Sequence, residues 1–159
     1  MTLCFQNSSA QHKKEEFISR LREKLYSFST SEKLKDSIAL YSFAIQIDIK
    51  KNKNSSIINV TSNDSISNVV FKKNYLPFFK KLNYDPILGE AKNATIIIPV
   101  AYIVANYKAD DISEKKVPIT DLSDKLYKLF NYIKKDENTP KNYIYLKPII
   151  IVVDKAIYH

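Results

Sequence analysis

The chain reads as an α+β protein: a mainly antiparallel sheet with helices on one face, in the order α-β-β-α-β followed by an appended α-β. Three observations lead there. Residues 41–49 place large apolar side chains at every second position, with Ser42, Ala44, Gln46 and Asp48 between them, which is the period of a strand with one buried face. Residues 17–28 and 122–133 instead carry apolar residues at helical spacing. Segregated helices over an antiparallel sheet form the simplest layered solution for that order.

The first helix is expected over His12–Phe28. Phe17, Leu21, Leu25 and Phe28 stack on one face, Glu15 and Glu16 fall in the expected first turn, and the Ser27–Ser31 cluster ends it. Tyr41, Phe43, Ile45, Ile47 and Ile49 then alternate with Ser42, Ala44, Gln46, Asp48 and Lys50, predicting a strand with one wet face. Lys51–Ser56 is turn chemistry, and Ile57–Thr61 is the returning strand of a hairpin. Asn63 or Asp64 is suited to cap a helix continuing through Ile66, Val69 and Val70. Pro77 is expected to interrupt that helix, with Phe78, Phe79 and Leu82 packing beyond it.

Tyr84–Gly89 reads as a loop, and Thr95–Val104 as a buried strand rich in β-branched residues. Pro99 has no N–H to give a ladder, so this strand should lie beside an edge or carry a bulge there. After a charged loop, Lys108–Lys116, a helix opening at Thr120 or Asp121 carries Leu122, Leu126, Leu129, Phe130 and Ile133. Tyr143–Val153 supplies the last strand, closing an extension over about 119–154.

Length and composition fit one domain over residues 12–159. The chain has 159 residues, of which 45% are hydrophobic and 26% charged, a globular balance. Its one cysteine, Cys4, excludes an intramolecular disulfide framework and any multi-cysteine zinc site. The histidines, His12 and His159, lie near opposite ends, so neither has a local metal-ligand partner. No cofactor and no metal are expected.

The formal charge is +8, which raises nucleic acid as a partner. Only Arg20 and Arg22 among the 25 basic residues are arginines, and arginine supplies most bidentate base and phosphate contacts. The lysines are scattered in pairs such as Lys72-Lys73 and Lys80-Lys81, and the abundance of Lys, Asn, Ile and Tyr matches AT-rich coding. No nucleic acid is therefore expected. The longest nearly apolar run, Ala94–Ala105, contains Pro99 and falls far short of the ~20 residues of a spanning helix, so no transmembrane segment is expected.

Residues 1–11 are uncharged and rich in small side chains. Ser8-Ser9-Ala10-Gln11 resembles the end of a secretory signal peptide cleaved after Ala10; the alternative is a disordered polar tail.

The stretch Ala39–Val104 resembles the TonB C-terminal domain family. The matching features are the strand Tyr41–Ile49, the returning Ile57-Ile58-Asn59-Val60, a helix from about Ser65 and a Pro86…Gly89 loop. A strand ending Ile98-Pro99-Val100-Ala101-Tyr102 completes them. The resemblance covers about 66 of the 159 residues. It lacks the family's Tyr-Pro start and hairpin glycine, and no membrane anchor or Pro-rich linker is seen. It implies the fold and a periplasmic or secreted setting in a Gram-negative bacterium, without energy coupling between membranes. It also implies a protein or peptide partner of the cell envelope, paired with the final strand by strand addition. The matching positions are Thr95, Ile96, Ile97, Ile98, Pro99, Val100, Ala101, Tyr102, Ile103 and Val104. A homodimer is also open. Because a strand–helix–strand unit is almost always a right-handed parallel crossover, Tyr143–Val153 is expected to lie parallel to Thr95–Val104 and cover that edge.

For catalysis, only acidic pairs offer themselves: Asp85 with Glu90 around the Pro86–Gly89 loop, and Asp110-Asp111. Turn formation and solvation are the commoner roles of such residues. Asp48 on the wet face reads as a solubility residue, and Asp121 and Asp124 as helix-start residues. One glycine cannot build a phosphate loop, and no Ser-His-Asp set exists. No catalytic residue is assigned. A binding module is the leading expectation, and a small hydrolase or carbohydrate-active protein using acidic loop residues is the alternative. Tyr102, Tyr107, Tyr143 and Tyr145 gather near the last two strands, where tyrosine suits both a binding surface and cross-strand pairing.

Overall fold

The structure, a computed structural model, describes residues 4–34, 39–51, 56–72, 75–105 and 142–154. The elements run α1 (Cys4–Phe28), β1 (Ala39–Lys51), β2 (Ser56–Ser62), α2 (Ser67–Val70), α3 (Tyr75–Lys80), α4 (Asp85–Leu88), β3 (Asn93–Ala105), β4 (Asn142–Tyr145) and β5 (Ile149–Asp154). The α+β class is as expected. The helix expected from Thr120 or Asp121, and the loop at Lys108–Lys116, lie outside the described residues.

One sheet organises the chain, with strand order β2-β1-β3 and then β4 and β5 end to end along the far side of β3. β1 is antiparallel to β2, with Ile47 opposite Val60, and antiparallel to β3, with Ile47 opposite Ile96. β4 and β5 run parallel to β3. Phe43, Ile45, Ile47 and Ile49 of β1 join Ile96, Ile98, Val100, Tyr102 and Val104 of β3 in the core. Leu21 and Leu25 of α1, Val70 of α2, Phe79 of α3 and Leu88 of α4 close it from the same side. All described helices thus cover one face.

The other face is less wet than the alternation suggests. Ser42 and Ala44 of β1 are buried there, as are Thr95, Ile97 and Ala101 of β3. Asp48 accepts hydrogen bonds from the Thr95 hydroxyl (2.6 Å) and the Gln46 amide (2.8 Å), so it is a half-buried cross-strand acceptor, not a free solubility residue.

α1 begins at Cys4, ahead of the expected His12, so residues 4–11 are helical. Glu15 and Glu16 consequently sit mid-helix, where they serve i,i+4 pairs: Arg20 donates to Glu16 (2.6 Å) and Gln11 to Glu15 (2.9 Å). The expected serine cluster does end the helix. The Ser27 and Ser29 hydroxyls donate to the carbonyls of Lys24 and Tyr26, satisfying last-turn acceptors.

The helix expected from Ser65 is broken into pieces. Asp64 accepts from the Ile66 N–H (2.9 Å) at the turn into α2, while Asn63 pins β1 by accepting from the Ala44 N–H (2.7 Å). α2 stops after one turn because Phe71 becomes extended and bridges Ser29. The Thr30 N–H donates to Val70 and the Lys72 N–H to Phe28, and the Phe71 ring enters the core. Pro77 therefore interrupts nothing; it stands in the first turn of α3, where its missing donor costs no helical bond. The Tyr84–Gly89 loop contains the one-turn α4 with Pro86 near its start. Gly89, the chain's one glycine, closes it at φ 56°, a backbone region that L side chains avoid.

Candidate binding edge

Thr95–Val104 is a central segment of the sheet and not an edge. All ten residues from Thr95 through Val104 lie in β3 with β1 on one side; on the other, Thr95–Ile97 pair with β4 and Val100–Val104 with β5, and Ile98 and Pro99 face the junction between them. The C-terminal strands occupy the flank that a partner would need, in the parallel sense expected. A strand adding to β3 would first have to displace them.

Pro99 explains how the two C-terminal strands meet. Ala44, its partner in β1, spends both its N–H and its C=O on Asn63, toward β2. In an antiparallel ladder the groups of such a facing residue point away as well, so Pro99's missing donor faces β4 and β5. There the ladder breaks: Ile97 pairs with Tyr145 and Val100 with Ile149, so Ile98 and Pro99 face three residues, Leu146, Lys147 and Pro148. β3 itself carries no bulge and pairs with β1 without interruption; the irregularity falls opposite it, in the gap between β4 and β5. The single strand expected over Tyr143–Val153 is accordingly two.

The outer side of β4 and β5 is the more exposed flank. The Leu146 N–H donates to Ile97 (3.0 Å), which sets the alternation: Asn142, Ile144 and Leu146 turn their backbone groups to β3, as do Ile149, Ile151 and Val153. Tyr143, Tyr145, Ile150 and Val152 direct theirs outward. Their side chains are exposed too, with Tyr145 53% and Ile150 61% accessible. The Tyr143 and Tyr145 rings stack with centroids 6.3 Å apart. Among the described residues no further strand pairs with this edge. The opposite edge, β2, is shorter in apolar exposure, with Ile57 its large exposed side chain, and α3 lies against it.

A cleft of about 420 Å³ opens where β4 gives way to β5, between that junction and α1. Ile18 and Leu146 give it apolar lining, Tyr145 borders it, and Lys14, Arg22 and Lys147 set three cations around one carboxylate, Glu15. Glu15 is engaged by Gln11, and the ion pairs seen elsewhere, Arg20–Glu16 and Lys51–Asp85, involve none of these cations. No local sequence pattern marks this cleft, since α1 and the junction are more than a hundred residues apart. The signal in the sequence that could have marked the junction is Pro148, a residue suited to edges and breaks, inside the segment expected as one strand.

Of the acidic candidates, Asp85 and Glu90 are both exposed. Asp85 begins α4 and forms an ion pair with Lys51 at the end of β1, while Glu90 follows Gly89 in solvent. Asp110, Asp111, Asp121, Asp124, Tyr107 and His159 lie outside the described residues. His12 is exposed on α1. Among the described residues no group of three metal-ligating side chains occurs, and no helix is long and apolar enough to cross a membrane. Tyr102 is a core residue: it is fully buried, donates to the Thr30 carbonyl, and burial pushes its phenol up to about 12.

Comparison with protein-family models, with curated proteins and with solved structures finds no match to this chain.

Proposed function

We propose that the chain is a protein-binding module of the bacterial envelope, exported and TonB C-terminal-like in its core, that takes up a partner by strand addition at the outer edge of β4 and β5. The observation that carries this reading is the coincidence of outward backbone groups and exposed apolar side chains at Tyr143, Tyr145, Ile150 and Val152. Backbone pairing supplies affinity in strand addition, and alternate side chains supply selectivity. Pro148 and the extra residue beside it divide the edge into two short stretches, which favours a short extended partner over open-ended stacking of copies. The exported setting is supported by the family resemblance and by Ser8-Ser9-Ala10-Gln11. Cleavage after Ala10 would remove about two turns of α1 and leave Phe17, Leu21 and Leu25 in the core.

Selection of extended peptides on the full chain, followed by amide exchange of the complex, tests the reading. The N–H groups of Tyr143, Tyr145, Ile150 and Val152 should gain protection. Binders that leave all four amides unchanged would refute strand addition here. N-terminal sequencing of the chain from a periplasmic fraction should begin at Gln11; recovery in the cytosol with Met1 retained argues against export.

A further inference from the structure

We infer that the cleft between α1 and the β4–β5 junction selects partners whose extended segment carries acidic side chains, an inference that rests on the strand-addition reading above. Tyr145 belongs to both features, since it lies on the outer edge and also borders the cleft. A segment paired along β4 and continuing toward β5 must cross the break at Leu146, Lys147 and Pro148, and the cleft opens there. Backbone pairing is lost across that break, so side chains decide what is held. What the site presents is Lys14, Arg22 and Lys147 against Glu15, around Ile18, Tyr145 and Leu146.

Charge complementarity selects the partner's chemistry. The cleft holds two positive charges net, three cations less one carboxylate, and Gln11 already engages that carboxylate. The whole chain carries +8, so a second copy would bring like charge to the same place. An acidic side chain flanked by apolar ones meets both the cations and the apolar lining. Arg22 offers a planar fork suited to a carboxylate, and Lys14 and Lys147 add point charges. Such rim charges act mainly on selection and on encounter rate, and salt weakens them.

The test compares a short valine- and threonine-rich peptide carrying central glutamates with its glutamine isostere, on the unmodified full chain, by fluorescence anisotropy and amide exchange. The glutamate peptide should bind roughly tenfold tighter at low salt, the advantage shrinking as salt rises. The triple variant Lys14→Glu, Arg22→Glu, Lys147→Glu should reverse the preference, and the unmodified chain's salt dependence decides if that variant does not fold. Equal binding of both peptides with protected edge amides overturns this inference and leaves strand addition standing. No protection by either peptide removes strand addition and this inference together. Binding of a DNA oligonucleotide in place of the glutamate peptide overturns it as well.

Discussion

The phenol of Tyr102, near the end of β3, donates a 2.9 Å hydrogen bond to the carbonyl of Thr30, just beyond α1. It ties the segment that leaves the first helix to the central strand. Removing the hydroxyl with Tyr102→Phe leaves that carbonyl short of a partner. The expected cost is about 1 kcal/mol in denaturant unfolding, with the m-value unchanged.

Alkaline pH should weaken the fold through the same residue. Burial raises the Tyr102 phenol from 10.0 to about 12, and raises Tyr84 and Tyr75 as well, the Ser67 hydrogen bond opposing the rise at Tyr75. The folded state therefore holds these protons more tightly than the unfolded state does above pH 10. Stability is full below pH 10 and falls as pH climbs toward 12, by on the order of 2 kcal/mol for Tyr102. Unfolding measured from pH 8 to 11.5 should show the decline, and Tyr102→Phe should make it shallower.

The break at Pro148 should matter for solubility. Deleting Pro148 lets three facing positions become two, so β4 and β5 can join in one register along β3. An unbroken, apolar edge is a template for pairing between copies. Light scattering should detect dimers or larger species in the deletion variant at concentrations where the parent is smaller. An unchanged mass would show that the break protects nothing.

Asp85 and Lys51 offer a contrast. Their ion pair joins α4 to the end of β1 at the surface, with the Asp85 side chain 63% accessible. Exposed pairs contribute little, so Asp85→Ala should cost under about 1 kcal/mol. The double variant Asp85→Ala, Glu90→Ala should leave peptide binding at the β4–β5 edge unaltered. Loss of a hydrolytic activity in that variant would instead support the acidic-loop reading.

Leu25 marks the other extreme. It is fully buried on the α1 stripe, within the cluster that holds Phe43, Ile45 and Phe79. Leu25→Ala should cost roughly 2–5 kcal/mol, measured by thermal or denaturant unfolding.

Local periodicity made much of this legible. β1 and β2 follow the expected segments within a few residues, and the α1 stripe of Phe17, Leu21 and Leu25 is in the core. The helix after β2 was misread because Phe71 leaves helical geometry to bridge Ser29, a contact with a segment some forty residues away that no local pattern announces. The candidate site was legible only in part. Tyr143 and Tyr145 stood out as aromatic residues near the last strands, but the cleft residues Ile18, Arg22 and Lys147 carry no shared pattern.

What the chain's own order of residues determines is which segments are two-periodic, which are helical, and that one proline in β3 must be accommodated. The crossover rule already set Tyr143–Val153 beside Thr95–Val104; that this tail docks as two short strands, and which of its residues face outward, belongs to the tertiary structure. Backbone donors and acceptors are chemically alike along every strand, so which of them stay open depends on the register in which residues 142–154 dock, and that register leaves Tyr143, Tyr145, Ile150 and Val152 facing outward.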